Sequence, residues 1–124
     1  MGQGTDLKYA KMVSDHIKSH HTEVLFTEQE GFDSIPDVIE AIESWDTTTV
    51  RASTPMYLLS KYVKEKTDVT VIYSGEGSDE ASGSYLYFHN APNDDEFTQE
   101  AKRLVKDLHR YDVLRCDKST AAHS

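Results

Sequence analysis

Apolar residues along this chain fall mostly at helical intervals, with two short runs that break the rhythm. Leu7, Ala10, Val13 and Ile17 recur at helical spacing, which predicts a helix from about Asp6 to His20. Val24, Leu25 and Phe26 sit together within Glu23 to Thr27, which predicts a short buried strand. Thr27-Glu28-Gln29-Glu30 is a capping-box pattern that can start a helix directly after it. Gly31 weakens that helix. Ser34-Ile35-Pro36-Asp37 can restart it, because serine caps well and proline fits a first turn. Ile35, Val38, Ile39 and Ile42 then follow the i, i+3, i+4, i+7 pattern of a helix with one apolar face.

Asp46 to Ser53 carries three adjacent threonines and reads as loop or short strand, and Thr54-Pro55 reads as the cap of the next helix. Met56, Leu59, Tyr62 and Val63 share a face of that helix. Val69-Thr70-Val71-Ile72-Tyr73 is rich in β-branched residues and predicts a strand. Ser74 to Glu80 follows as a tight loop. Asn93-Asp94-Asp95-Glu96 opens a last helix with Phe97, Ala101, Leu104, Val105 and Leu108 at core spacing. Helices alternating with strands predict an α/β fold, a parallel sheet with flanking crossover helices. Only two strands are evident, and a two-stranded parallel sheet cannot cover itself, so the sheet is expected to be partial.

Length and charge narrow the classes. The 124 residues suit one domain. Thirteen Lys and Arg against 22 Asp and Glu give a net charge of −9, which argues against a bulk electrostatic grip on nucleic acid or anionic lipid. A single cysteine excludes a disulfide framework or a multi-cysteine zinc site. No apolar run approaches the roughly 18–20 residues of a membrane span, and Met-Gly-Gln-Gly does not begin a secretory signal. A soluble protein of a reducing compartment is expected, without nucleic-acid or membrane partners.

Two polar stretches could carry chemistry. The loop at Ser74–Glu80 follows a predicted strand, where open α/β sheets bind ligands. Ser74, Gly75, Gly77 and Ser78 expose backbone N–H groups and hydroxyls, and Glu76, Asp79 and Glu80 place three carboxylates close together. Such a set suits nucleotide handling with Mg²⁺, recognition of an ammonium, or proton abstraction. On composition alone a solvated turn is the better reading, and the stretch matches no Walker or dinucleotide motif. In Asp46 to Pro55, hydroxyls beside Arg51 could form an anion site before a helix, or an ordinary capped loop. His16, His20 and His21 are close enough in sequence to suggest a metal, but no acid or cysteine completes a ligand set, and exposed helix histidines are the simpler reading. The aromatic run Tyr85 to His89 reads as core packing, and Cys116 as a small buried side chain.

Ser74-Gly75-Glu76-Gly77-Ser78-Asp79-Glu80, followed by Tyr85-Leu86-Tyr87-Phe88-His89 and Ala91-Pro92, resembles the glutamine-hydrolysing asparagine synthetases. Thr48-Thr49-Val50-Arg51-Ala52-Ser53-Thr54-Pro55-Met56 is similar to the same family's threonine–arginine loop. The segment from Tyr111 to His123 resembles the stretch before its Arg-Val-Pro-Phe-Leu-Asp motif. The resemblance runs through the whole chain in order, closest to the eukaryotic branch. It implies that residues 1–124 are the middle part of a synthetase domain of the ATP-pyrophosphatase type, related to the adenine nucleotide alpha hydrolases. The family's glutaminase domain and its Ser-Gly-Gly-x-Asp-Ser pyrophosphate loop are expected to be absent, with Gly2 where a glutaminase has its cysteine. Ala81-Ser82-Gly83-Ser84 departs from the family's usual bulkier pair and glycine before the tyrosine.

The resemblance implies synthesis of asparagine from aspartate, with ATP and Mg²⁺, through β-aspartyl-AMP. Ammonia comes from glutamine in the parent, which is a cytosolic enzyme and can be a homodimer. Ser74 and Gly75 would contact ATP. Glu76 would serve β-aspartyl-AMP formation and accept a proton from attacking ammonia. Thr48 and Arg51 would stabilise the departing pyrophosphate. Asp79 would pair with the aspartate ammonium, with Glu80, Tyr85, Asp112 and Arg115 on the aspartate side. A structural salt bridge and a packed aromatic stay open as the roles of Asp112, Arg115 and Tyr85. The alternative for the chain as a whole is a non-catalytic remnant of the same fold that binds a nucleotide or a partner.

Overall fold

A computed structural model describes residues 5–123 of the chain; Met1 to Gly4, with the Gly2 position, and Ser124 lie outside the described residues. The elements are α1 (Thr5–Ile17), α2 (Glu28–Asp33), α3 (Ile35–Ile42), α4 (Thr47–Lys66), α5 (Ser78–Ser82), a 3-10 turn (Leu86–Asn90), α6 (Asp94–Leu108), a π-helical turn (His109–Val113) and α7 (Leu114–Ala121). Helix α4 packs against α3 and α7, which also touch each other. Helix α5 packs on α6, and the π turn joins α6 to α7.

The parallel sheet of the expected α/β fold is not present: the described residues contain no strand. Both predicted strands, 23–27 and 69–73, lie in segments without regular secondary structure. Val69, Val71, Ile72 and Tyr73 are 52%, 66%, 52% and 95% exposed, so the run finds neither a ladder nor a covering face. β-branched residues fit a pleated, half-buried surface; they do not hold a strand without a neighbour to bond.

Local signals fared better where one side chain decides the outcome. Thr27 forms the capping box: Glu30 N–H donates to its hydroxyl at 3.2 Å, and its own N–H donates to the Glu30 carboxylate at 2.6 Å. Asn93 accepts from Glu96 N–H at 2.9 Å and starts α6. Ser34 begins α3 without capping it; its hydroxyl donates instead to the Gly31 carbonyl at 2.8 Å. Helix α4 starts seven residues before Thr54, because the Asp46 carboxylate accepts from both Thr49 N–H at 2.9 Å and Thr49 hydroxyl at 2.8 Å. Pro55 is therefore inside the helix, where it offers the Arg51 carbonyl no donor. The first helix stops at Ile17, since Lys18 adopts a left-handed φ of 58°, so His16 and His20 do not share a helix face.

Val38, Ile42 and Phe88 are the fully buried apolar residues among those described. The chain exposes 9761 Å², against about 6,700 Å² for a compact monomer of its mass. Apolar side chains such as Trp45, 87% exposed, make up part of that excess. Small polar residues fill the closest packing: Ser53 on α4 and Ser119 on α7 are 0% exposed, and Ser60 on α4 is 7%. Lys118 on α7 pairs with the Glu43 carboxylate and reaches the Ile42 carbonyl at 3.5 Å, satisfying the C-terminal end of α3. Gly83 ends α5 at φ 64°, where a Cβ would press into the Phe97 ring that packs edge-on against Phe88 at 4.8 Å. The departure at Ala81–Ser84 thus keeps a glycine where the backbone requires one.

The Ser53 hydroxyl is buried with no hydrogen-bond partner. Ser53→Ala removes that desolvated group and is expected to raise stability by about 1 kcal/mol. Ser53→Leu should lower it by about 1–3 kcal/mol through overpacking. Urea-unfolding midpoints of the two variants check the pair of signs.

Candidate functional site

The loop at 74–77 connects the irregular run at 69–73 to α5, and its shape follows from short-range bonds. Ser78 N–H donates to the Gly75 carbonyl at 3.1 Å, and Glu76 N–H donates to the Ser74 hydroxyl at 3.1 Å. Gly77 takes a φ of 89°, and a Cβ there would lie 2.9 Å from Leu108 Cδ2. A Cβ on Gly75 would meet only the Ser78 hydroxyl, at 4.0 Å, so the backbone at Gly75 is open to close approach.

Glu76 projects from this loop to Arg115 on α7. The same Arg115 Nη2 donates to Asp112 Oδ1 at 3.1 Å, so one guanidinium nitrogen holds two carboxylates. Their side chains are 16% exposed for Arg115, 18% for Asp112 and 32% for Glu76. Arg115 Nε is buried without a partner. Glu80 lies behind Asp112, 5% exposed, and accepts from the Tyr85 hydroxyl. That hydrogen bond, with burial, holds the Tyr85 phenol well above its usual range. Burial and the Glu80 carboxylate push Asp112 up, against the pull of Arg115. Asp79 is exposed and accepts from the Ser84 hydroxyl.

The predicted site residues therefore divide. Glu76, Arg115, Asp112, Glu80 and Tyr85 form one connected network. Thr48 lines a cleft of about 430 Å³ together with Asp112 and Arg115. Arg51, one turn along α4, lines a different and mostly apolar cleft of about 520 Å³ with Phe32, Ile39 and Trp45. Ser74 and Gly75 are exposed at the mouth of the loop.

Sequence reasoning missed several neighbours. Arg110, Tyr111 and Lys118 line the Thr48 cleft, and the signal for them is their spacing around Asp112 and Arg115. Cys116 is half-buried; burial pushes its thiol up, and a hydrogen bond with Ser74 opposes this. His16 and His20 are exposed, and His21 Nε2 lies 3.6 Å from the Glu23 carboxylate. Among the described residues, no three His, Cys, Asp or Glu side chains converge as metal ligands. No helix among them is long and apolar enough to cross a membrane.

A helical scaffold that presents a small loop and a carboxylate–guanidinium network suits handling of a charged small molecule. A sequence model of the asparagine synthase family matches residues 2–99, and the chain belongs to that family. Over 123 residues it is 51% identical to the asparagine synthetase [glutamine-hydrolyzing] of Gallus gallus, and 50% identical to those of Homo sapiens and Rattus norvegicus. Each match covers 99% of this chain and 22% of the relative's length.

Because Asp112 binds its proton more tightly when folded, stability falls as pH rises from about 3.9, the unfolded aspartate value, through the raised folded one. Asp112→Asn removes that loss, and its amide oxygen can still accept from Arg115. The variant is expected to unfold at higher urea than wild type at neutral pH and to converge with it near about pH 3. A gap that does not change with pH would remove the assigned cause.

Proposed function

We propose that this chain forms part of the aspartate-activating half of an ATP-dependent asparagine synthetase. About 50% identity along the whole chain to glutamine-hydrolysing asparagine synthetases carries the reading. The network around Glu76 gives it a place in the fold. In this reading aspartate and ATP give β-aspartyl-AMP and pyrophosphate, and ammonia released from glutamine displaces AMP. The parent is a cytosolic enzyme and can form a homodimer.

The chain's own groups suit these steps. Ammonia attacks as a neutral nucleophile, and positive charge develops on its nitrogen. Glu76, on an exposed loop and held at one end by Arg115, suits stabilising that charge and accepting a proton. The open backbone at Gly75 and the Ser74 hydroxyl suit contact with the nucleotide. Asp79, exposed beside the loop, suits the ammonium of aspartate. Thr48 and Arg51, in the first turns of α4, suit the departing pyrophosphate through a hydroxyl and a forked donor. Mg²⁺ bound with ATP would be held mainly by phosphate oxygens and would offset their charge.

The test uses the full-length polypeptide carrying this segment, with aspartate, ATP, Mg²⁺ and ammonium. Wild type is expected to form asparagine. Glu76→Gln should slow asparagine formation by ~10²–10⁴-fold while pyrophosphate is still released. Arg51→Lys keeps the charge but loses the fork, and should impair pyrophosphate release itself. Asparagine formation by Glu76→Gln at the wild-type rate would take Glu76 out of the chemistry.

A further inference from the structure

We infer that Arg115 is a positioning residue for Glu76, and that it does not contact aspartate. The inference rests on the function proposed above. Three observations carry it. First, the ion pair to Glu76 spans 39 positions and, beside a hydrogen bond between Ser74 and Cys116, ties the 74–77 loop to α7. The run at 69–73 that leads into the loop has no ladder among the described residues. Second, the Arg115 nitrogen that holds Glu76 is the one that also holds Asp112, so the guanidinium is anchored on its own helix before it reaches the loop. Third, Arg115 Nε is buried, which leaves that edge of the fork no access to a ligand.

The π-helical turn is part of the same device. Asp112 sits within it and Arg115 one turn later, at the start of α7, which is seated on α3 and α4. The helix thus delivers a cation to a loop carboxylate from a rigid base. A carboxylate that must meet a developing ammonium loses effectiveness when it wanders, and a misplacement of about 1 Å can cost on the order of 10²-fold in rate.

The experiment compares kinetics of the full-length polypeptide carrying this segment. Arg115→Lys retains the charge but is one bond shorter than the arm that ends in Nη2, so its ammonium falls short of reaching Glu76 and Asp112 together. It is expected to lower kcat for asparagine formation by on the order of 10²-fold, with KM for aspartate changed less than about twofold. The double variant Glu76→Gln with Arg115→Lys should be no slower than Glu76→Gln alone, since a positioning residue has no task once its carboxylate is gone. A rise in aspartate KM with kcat intact, unchanged kinetics, or additive losses in the double variant would each overturn the inference. If Arg115→Lys loses its cooperative unfolding transition, Glu76→Asp tests the same tie from the loop side. It withdraws the carboxylate by one methylene and should lose turnover at constant aspartate KM; wild-type turnover would overturn the inference. A folded wild type that forms no asparagine overturns the function proposed above, and this inference with it. An active wild type with additive variants overturns the role of Arg115 alone.

Discussion

Helix α7 reaches the loop at 74–77 because it lies closely against α3 and α4, and serines permit that closeness. Ser53 and Ser119 are fully buried where larger side chains would push the helices apart. Ser119 donates its hydroxyl to the Arg115 carbonyl at 2.9 Å, so its polarity costs little, whereas Ser53 leaves its hydroxyl unpaired. Lys118 then ties α7 to the end of α3. Arg115 and Asp112 inherit their positions from this seat, and Glu76 inherits its position from Arg115. The order of dependence runs from packing to charge to loop.

The legible parts of the fold were those settled by a few neighbouring residues. Thr27 with Glu30, the Ile35–Ile42 stripe and Asn93 before α6 each place an element through contacts within one or two turns. Asp46 was missed although it obeys the same capping rule, because the threonines and Thr54-Pro55 offered a competing start. The two predicted strands failed for a different reason. A helix closes its hydrogen bonds within itself, but a strand borrows them from a neighbour, and residues 69–73 have none among those described.

The site was legible as residue types and only partly as an arrangement. The acids of Ser74–Glu80 announce a charged loop in any reading. Nothing in their spacing says that Glu80 turns inward to Tyr85 while Asp79 stays exposed. Arg115 lies 39 positions from Glu76, beyond the reach of any local pattern. Thr48 and Arg51 look like one motif in sequence and sit one turn apart on α4, yet they line separate clefts.

The π-helical turn at His109–Val113 also shapes how this segment can change over evolutionary time. A wider turn accommodates one more residue than an α-helix would over the same rise. Deleting one residue there would restore a regular ladder and leave everything downstream facing as before. Arg115, Lys118 and Ser119 would all keep their partners. A change of length by one residue is absorbed in the turn, whereas in a regular helix such as α4 it would rotate everything that follows by about 100°.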